Sequence, residues 1–457
     1  MNRVSATPDA TSPATANATA NATANATANA AANATANAAA NANAAAPFDY
    51  DVTIVGAGPV GMALAGWLTR RSATSALKVA LIDAREPEDS IGDPRAIAIS
   101  QGSRTLLESL AWPHDASTIE RIHVSQRGHF GRTLIDRHDY RLPALGYVAR
   151  YGAIVQSLAQ AVRATPVHWL HLTKALEPAI DHDGVTLPIL CAGVARRVRT
   201  RVLVNAEGGL FRPPSERAVH GDPEAGATAA KEAAAQAKGE TKRQRDYGQT
   251  ALVGVVTVSA PQPHVAWERF TNEGPIALLP MGGVRNADYA LVWCCSPDES
   301  ARRAQLSDAD FLAELGAVFG TRMGRFTRIH GRAGFPLGLN ALDTLVTGQG
   351  RIAAVGNAAQ TLHPVAGQGL NLGLRDAHAL TEALAQYGPT PLALATFSRQ
   401  RAVDRRMTIG ATDTLARIFT VDFGPLAALR GLALTALEFV PPVKAALARQ
   451  MMFGQRI

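Results

Sequence analysis

Short apolar runs alternate with helical stretches through most of the chain. Residues 51–55 form a β-branched run typical of a buried strand, residues 62–69 follow as a helix, and residues 78–82 form a second strand. Further strands are predicted at 201–206, 250–259, 277–280, 290–295 and 351–355, and further helices at 308–319, 370–387 and 391–412. The pattern predicts a mixed α/β (α+β) fold with a Rossmann-like nucleotide-binding domain, a second β-sheet and C-terminal helices.

Two segments of biased composition interrupt this pattern. Residues 1–47 repeat Ala, Thr and Asn and have almost no large apolar side chain to bury, so we predict a disordered tail, with a nascent helix as the alternative. The tail lacks the basic lead and apolar centre of a signal peptide. Residues 221–246 are rich in Ala, Lys, Glu and Gln, and we predict a surface insertion that is helical or frayed.

Charge and cysteine content limit the classes of partner. The net charge of +7 comes from basic residues that are scattered through the 457-residue chain and do not alternate with aromatics, so nucleic acid is not a predicted partner. Three cysteines without metal-ligand spacing indicate reduced thiols in a cytoplasmic protein and no metal site. No apolar run reaches the roughly 18 residues that cross a bilayer, whereas a peripheral contact with the anionic inner face of the cytoplasmic membrane fits the mild positive charge.

A glycine fingerprint follows the first predicted strand directly and opens the first helix. Gly56 permits a tight turn, Gly58 lets a pyrophosphate approach the backbone beside Pro59, and Gly61 lets helix and strand pack closely. Asp83 ends the second strand, where an acidic side chain accepts hydrogen bonds from an adenosine ribose. The spacing predicts a dinucleotide site, and the alternative is a glycine turn without a ligand.

A second glycine-rich segment lies far along the chain, at residues 351–377. A predicted strand ends at Gly356 and Asn357, and a loop leads to Gly367 and Gly369 at the start of a long helix. Glycines without side chains let a flat ring lie against the backbone, and the positive end of the helix stabilises negative charge on that ring. The candidate ligand contacts of this segment are Gly356, Asn357, Gly367, Gln368, Gly369, Leu370 and Asn371. We expect the two glycine segments to converge and to bind opposite ends of one dinucleotide.

These motifs resemble those of a known family, the FAD-dependent aromatic hydroxylases of the para-hydroxybenzoate hydroxylase type. Residues 94–100 resemble the family's segment after the second strand, and residues 267–280 and 291–293 resemble the substrate-domain sheet of its ubiquinone-biosynthesis branch. The resemblance covers the chain from about residue 48 to its end, apart from residues 221–246. It implies that Arg95, Glu207 and Gly208 contact the cofactor and that His363 and Pro364 lie beside the flavin. Glu207 and Asn357 depart from the family, which usually has Asp at both positions.

The resemblance also implies the cofactors, the reaction and the partners. FAD would be bound tightly and without a covalent link, and NAD(P)H would be a transient co-substrate, since the chain has no second glycine fingerprint. The implied reaction is hydroxylation of a polyprenylated methoxyphenol by O2 through a flavin hydroperoxide. A ubiquinone-biosynthesis protein assembly and a membrane surface are the implied partners. The sequence names no base for the phenol.

Two other functions stay open at this point. The chain could be a flavoprotein of the same fold that epoxidises or reduces another lipid, or a non-catalytic FAD-binding member of a ubiquinone-biosynthesis assembly. The predicted domain order is an FAD-binding domain in three parts (48–120, 151–212 and 336–390), substrate-domain segments at 121–150 and 247–335, and C-terminal helices at 391–457.

Overall fold

The first strand of the chain, Tyr50–Val55, belongs to a nine-stranded sheet. This strand and its two neighbours in the sheet run parallel to one another. The computed structural model describes residues 47–128, 132–208, 242–420 and 438–454. The predicted tail therefore lies outside the described residues except for Pro47, and the predicted insertion lies outside them up to residue 241. The chain from Asp49 onward forms one compact unit.

The nine-stranded sheet has the strand order β10-β11-β12-β1-β2-β8, with β19 also on β12, β18 on β19 and β9 on β11. Its strands are β1 (Tyr50–Val55), β2 (Val79–Ile82), β8 (His168–Leu170), β9 (Thr173–Ala175), β10 (Ala179–Ile180), β11 (Val185–Cys191), β12 (Val194–Asn205), β18 (Val346–Thr347) and β19 (Ile352–Ala354). Strand β1 is parallel to both β12 and β2, and β19 is parallel to β12. The predicted Rossmann-like domain is therefore present.

Helices cover one face of this sheet and bury its aliphatic side chains. They are α1 (Pro59–Arg70), α3 (Tyr151–Arg163) and α6 (Gln368–Tyr387). Ile54, Leu64 and Leu374 are fully buried members of the resulting core. Such burial stabilises a fold by about 1.5–3 kcal/mol for each large aliphatic side chain.

An eight-stranded sheet forms the second layer, in the order β20-β17-β13-β16-β15-β14-β5-β6. Its strands are β5 (Arg121–Gln126), β6 (Arg132–Asp136), β13 (Lys242–Val258), β14 (Val265–Phe270), β15 (Pro275–Gly282), β16 (Asp288–Cys295), β17 (Phe326–Leu342) and β20 (Gln360–Thr361). Helices α4 (Pro297–Gln305) and α5 (Asp308–Phe319) follow β16, and Phe311 of α5 packs with Trp293 on the outer face of this sheet. The opposite face is also apolar, and neither α4 nor α5 packs on it.

A small three-stranded sheet, a short helix and two C-terminal helices complete the described structure. The small sheet has the order β3-β7-β4, formed by β3 (Ala96–Ser100), β4 (Ser117–Ile119) and β7 (Gly146–Arg150), and α2 (Gln101–Leu107) follows β3. Helix α7 (Pro391–Thr420) packs on α6, and α8 (Pro441–Phe453) lies against α2 and β3. No helix among these described segments is long and apolar enough to cross a membrane.

Several helices and strands begin or end at residues other than those predicted. Strand β13 begins at Lys242, inside the predicted insertion, because its polar first residues pair with the last residues of β17 through the backbone alone. Strand β17 itself was not predicted, and it runs across the predicted domain boundary at 335/336. Helix α7 continues to Thr420 instead of ending at residue 412.

The two glycine segments meet at the N-terminus of α1. A Cβ on Gly61 would come within 1.9 Å of the Gly56 carbonyl oxygen, so α1 reaches the turn only because Gly61 lacks a side chain. A Cβ on Gly373, in α6, would lie 2.9 Å from Cα of Gly356 and 2.9 Å from a methyl group of Val60. The two segments therefore converge where the Val60 side chain packs against the backbone of Gly356 and Gly373.

We predict that Gly373→Ala destabilises the protein and weakens cofactor retention. The added methyl group meets backbone atoms, which cannot rotate away, and overpacking of this kind costs about 1–3 kcal/mol. Urea unfolding should show this loss.

The matched control is Gly410→Ala in α7, where no heavy atom lies within 4 Å of the added Cβ. It should leave stability unchanged or raise it by about 0.5–1 kcal/mol, since Ala favours a helix interior. Equal effects of the two substitutions would contradict the packing argument.

Candidate active site

A cavity of about 1190 Å³ lies between the glycine segments and the apolar face of the eight-stranded sheet. This volume exceeds the roughly 300–1,000 Å³ of most ligand sites, which leaves space for a dinucleotide and a second molecule. Fifteen of the predicted residues line it: Gly56, Gly58, Pro59, Asp83, Arg95, Glu207, Gly208, Asn357, His363, Pro364, Gly367, Gln368, Gly369, Leu370 and Asn371. Gly61 and Gly356 do not line it, because they are the packing contacts described above.

The first glycine turn presents open backbone to the cavity. A Cβ on Gly58 would meet only the Tyr151 hydroxyl, at 3.9 Å, and no side chain caps the N-terminus of α1. Asp83 stabilises this turn, because one of its carboxylate oxygens accepts a hydrogen bond from Ala57 N at 2.6 Å. Its other carboxylate oxygen accepts a hydrogen bond from Arg85 N at 2.8 Å. A helix N-terminus beside an open glycine fits a pyrophosphate, and Asp83 is placed for a ribose.

Arg95 is a fixed cation in the cavity wall. Its guanidinium lies 2.6 Å from the Asp93 carboxylate and 4.5 Å from the centre of the Tyr151 ring. Burial opposes the charge, but the hydrogen bonds and charge of Asp93 raise the pKa of Arg95 above its ordinary value. The side chain therefore stays charged beside the predicted dinucleotide site.

The start of α6 is held against β3 by Asn371. Its side-chain oxygen accepts a hydrogen bond from Ser100 N at 2.8 Å, and its amide nitrogen donates to the carbonyls of Ala98 at 3.0 Å and Gly367 at 2.7 Å. Asn371 thus positions the glycine loop, and both hydrogens of its amide are already used. Gly369 has no atom within 4 Å of an added Cβ, so its backbone is open to a ring.

The end of β12 approaches the second glycine segment. A Cβ on Gly208 would lie 3.5 Å from Cβ of Asn357, and Glu207 N donates to the side-chain oxygen of Asn205 at 3.0 Å. The three residues Glu207, Gly208 and Asn357 therefore share one wall of the cavity.

His363 is buried and electrically neutral. Its Nδ1 accepts a hydrogen bond from Val365 N at 3.1 Å, which leaves the proton on Nε2 to reach the Gln249 side-chain oxygen at 3.2 Å. Burial lowers the pKa of His363 to about 4. The ring also stands edge-on to Tyr247, at 5.2 Å between centres. These contacts make His363 a residue that shapes the loop before α6.

Sequence reasoning assigned no role to Glu268, which lies on β14 and lines the cavity. Burial raises the pKa of its carboxyl to about 7. The available signal was strand alternation, since Ala266, Glu268 and Phe270 share one face. One charge in an apolar face marks a candidate functional residue.

Comparisons with known proteins agree with this geometry. The family model described as FAD binding domain matches residues 49–402. The chain is 31% identical to ubiquinone hydroxylase UbiL of Rhodospirillum rubrum, over 88% of this chain and 89% of that protein. It is 30% identical to 3-demethoxyubiquinol 3-hydroxylase of Escherichia coli, over 85% of this chain and 94% of that protein.

A solved structure shares the fold. The p-nitrophenol 4-monooxygenase PnpA from Pseudomonas putida matches 89% of this chain and 99% of its own chain with a TM-score of 0.67, at 16% identity. The fold and the site thus define a class, the FAD-dependent aromatic monooxygenases. This chain belongs to their FAD-binding-domain family, beside the ubiquinone hydroxylases named above. The predicted family, fold class and FAD requirement are confirmed.

We predict that His363 contributes to the loss of stability in acid. Its pKa is about 4 in the folded protein and about 6.5 in an unfolded chain. Between pH 4 and pH 6.5 the unfolded state therefore binds more protons than the folded state. The free energy of unfolding should therefore fall as pH drops from about 6.5 towards 4. Between pH 7.5 and 5 this contribution amounts to about 2 kcal/mol.

His363→Asn is the test, because the Asn side chain can still accept from Val365 N but does not titrate. Urea unfolding at pH 7.5 and at pH 5 should show a smaller pH-dependent loss in the variant than in the wild type. Identical losses would contradict the assignment.

Proposed function

We propose that this enzyme hydroxylates the ring of a polyprenylated methoxyphenol on the route to ubiquinone, with NAD(P)H and O2 as co-substrates. The proposed substrate is that of 2-octaprenyl-6-methoxyphenol hydroxylase, a member of the ubiquinone branch that the sequence motifs resemble. The observation that carries the proposal is one continuous cavity, lined by both glycine segments and by the apolar face of the eight-stranded sheet.

The residues present fit FAD. The open turn at Gly58 with Asp83 would hold the pyrophosphate and adenosine ribose, and the backbone at Gly367 and Gly369 would face the ring. When bound, FAD supplies hydride-accepting and oxygen-activating chemistry that no side chain of this cavity has. The positive end of α6 would stabilise negative charge on the ring.

The protein's own contribution is to orient the phenol and to exclude water. The cavity face of the eight-stranded sheet carries residues such as Val124, Leu279, Val292 and Leu337. These side chains favour an aromatic ring with an apolar tail and keep water away from the reacting centre. The chain has no second glycine fingerprint for NAD(P)H, which supports a transient encounter.

Labelled oxygen tests this function. Purified enzyme with FAD, NADH or NADPH and 2-octaprenyl-6-methoxyphenol under 18O2 should give a product heavier by one labelled oxygen atom, and the phenol should stimulate NAD(P)H oxidation. An unlabelled, reduced product would favour a polyprenyl reductase. NAD(P)H oxidation that does not respond to the phenol would favour a non-catalytic flavoprotein.

Gly58→Ala is the control for cofactor dependence. Its methyl group would meet protein only at the Tyr151 hydroxyl, 3.9 Å away, so the fold should persist. The same methyl group would occupy the space that a pyrophosphate needs, so bound FAD and labelled product should fall together. Full FAD content in this variant would place the pyrophosphate elsewhere.

We further propose that α8 rests on the inner face of the cytoplasmic membrane and admits the polyprenyl tail. Val443 and Leu447 lie one turn apart on its outer side and are 54% and 42% exposed. Phe439, just before the helix, is 80% exposed. Leu447 also lines the cavity, so this apolar surface continues into the site. A ubiquinone-biosynthesis assembly is the protein partner that the resemblance implies.

We predict that Phe439→Glu with Val443→Glu reduces sedimentation with phosphatidylglycerol vesicles several-fold, because two carboxylates replace the apolar contacts. Activity on a short-chain phenol should persist. Val284→Glu is the matched control, since Val284 is 83% exposed in the turn between β15 and β16. Unchanged sedimentation of the double variant would exclude this surface.

A further inference from the structure

Glu268 lies in the middle of the cavity face of the eight-stranded sheet. Across the strands it is paired with Val124 on one side and Ala277 on the other, and Ala277 is paired with Val292. Among the described residues of this sheet that line the cavity, Glu268 is the one carboxylate. It is therefore a charge placed in an otherwise apolar wall.

The carboxyl of Glu268 has no protein partner among the described residues. None of its oxygens forms a hydrogen bond or an ion pair with the segments 47–128, 132–208, 242–420 or 438–454, and burial alone shifts its pKa. The side chain keeps some accessible surface because it faces the cavity, yet protein atoms surround it on all other sides. Burying a carboxylate without a partner is costly, so a ligand group is the expected partner.

The packing on either side of Glu268 places it between the loop before α6 and the small sheet. Two residues later, Phe270 packs with Val365 of the loop before α6, and Val124 joins the same cluster. Two residues earlier, Ala266 packs with Ile119 and Val148 of the small sheet. Glu268 thus lies on the cavity wall, between these two packed clusters.

The other ionisable groups of this cavity do not neutralise Glu268. Cys294, on β16, faces the same space, and burial followed by the charge of Glu268 raises the pKa of its thiol well above the ordinary value. His363 is neutral at physiological pH, since burial lowers its pKa to about 4. Arg95 lies beside Tyr151 and is paired with Asp93.

We propose that Glu268 accepts the hydroxyl of the phenol and takes its proton during oxygen transfer. This inference rests on the proposed function. The phenolic O–H bond breaks, its electron pair stays on oxygen and activates the ring, and the proton forms a bond to a carboxylate oxygen of Glu268. O2 supplies the oxygen atom that the ring carbon gains, NAD(P)H supplies two electrons by way of FAD, and the second oxygen atom leaves as water. The C–H bond of that ring carbon then breaks and its proton goes to solvent, while the neutral carboxylic acid of Glu268 returns its proton to the phenol oxygen.

Binding measured without turnover separates this role from a structural one. FAD-loaded enzyme should bind 2-methoxy-6-prenylphenol at least tenfold more tightly than the O-methyl ether of the same molecule, because only the phenol donates a hydrogen bond to the carboxylate. Glu268→Leu should abolish this preference. Glu268→Gln should reduce it, since a neutral amide is a weaker acceptor. Quenching of flavin or tryptophan fluorescence measures both affinities.

Turnover gives the second readout. In the wild type, product formation from bound phenol should rise with pH through about 7, since the pKa of Glu268 is about 7 and the ionised carboxylate is the acceptor. Glu268→Gln should lose this dependence and lower hydroxylation roughly 100-fold or more. Phenol-stimulated NAD(P)H oxidation should persist with release of H2O2.

The matched control is Glu108→Gln, at a side chain that is 68% exposed on the surface, and it should behave as the wild type. An unchanged phenol preference and an unchanged pH profile in Glu268→Gln, with an active wild type, would overturn the role of Glu268 alone. A wild-type enzyme that neither binds nor hydroxylates the phenol would overturn the proposed function together with it.

Discussion

The contact of Val60 with Gly356 and Gly373 is the constraint on which the site depends. These three residues bring the N-terminus of α1, the end of β19 and the start of α6 to one point, and added Cβ atoms on the two glycines would lie within about 3 Å of their neighbours. A dinucleotide has two distant ends, so a protein can bind it only if both binding segments have a fixed separation. Close packing of the short Val60 side chain against two glycine backbones fixes that separation better than long, flexible side chains could.

Buried ion pairs hold α6 in the same place. Arg401 of α7 lies 2.7 Å from Asp376 of α6, and Arg375 lies 3.0 Å from Asp404 of α7, with all four side chains almost inaccessible to solvent. Breaking one partner of such a pair leaves a buried charge uncompensated, which costs several kcal/mol. The pairs therefore resist rotation of α6, whose first turn carries the glycine loop and Asn371.

Sequence reasoning predicted the parts of the site that depend on local geometry. Gly56, Gly58 and Asp83 follow strands directly, and Gly367 and Gly369 open a helix, so their roles follow from neighbouring residues. The sequence did not predict a role for Glu268. That role depends on which face of β14 meets the cavity and on which residues lie across from Glu268. The sequence also did not predict strand β17 or the first residues of β13. Their pairing is a long-range backbone contact, and their polar side chains do not indicate it.

The sequence by itself determined the class of the protein. Glycine spacing and apolar periodicity extend over a few neighbouring residues, so they can be recognised without knowledge of the fold. The tertiary structure alone decided which polar groups are satisfied and which face the cavity. Asn371 and His363 form hydrogen bonds with backbone groups, whereas Glu268 has no partner within the part of the chain that the structure describes. Hydrogen-bond satisfaction is a property of atoms brought together from distant parts of the chain, and therefore no local pattern records it.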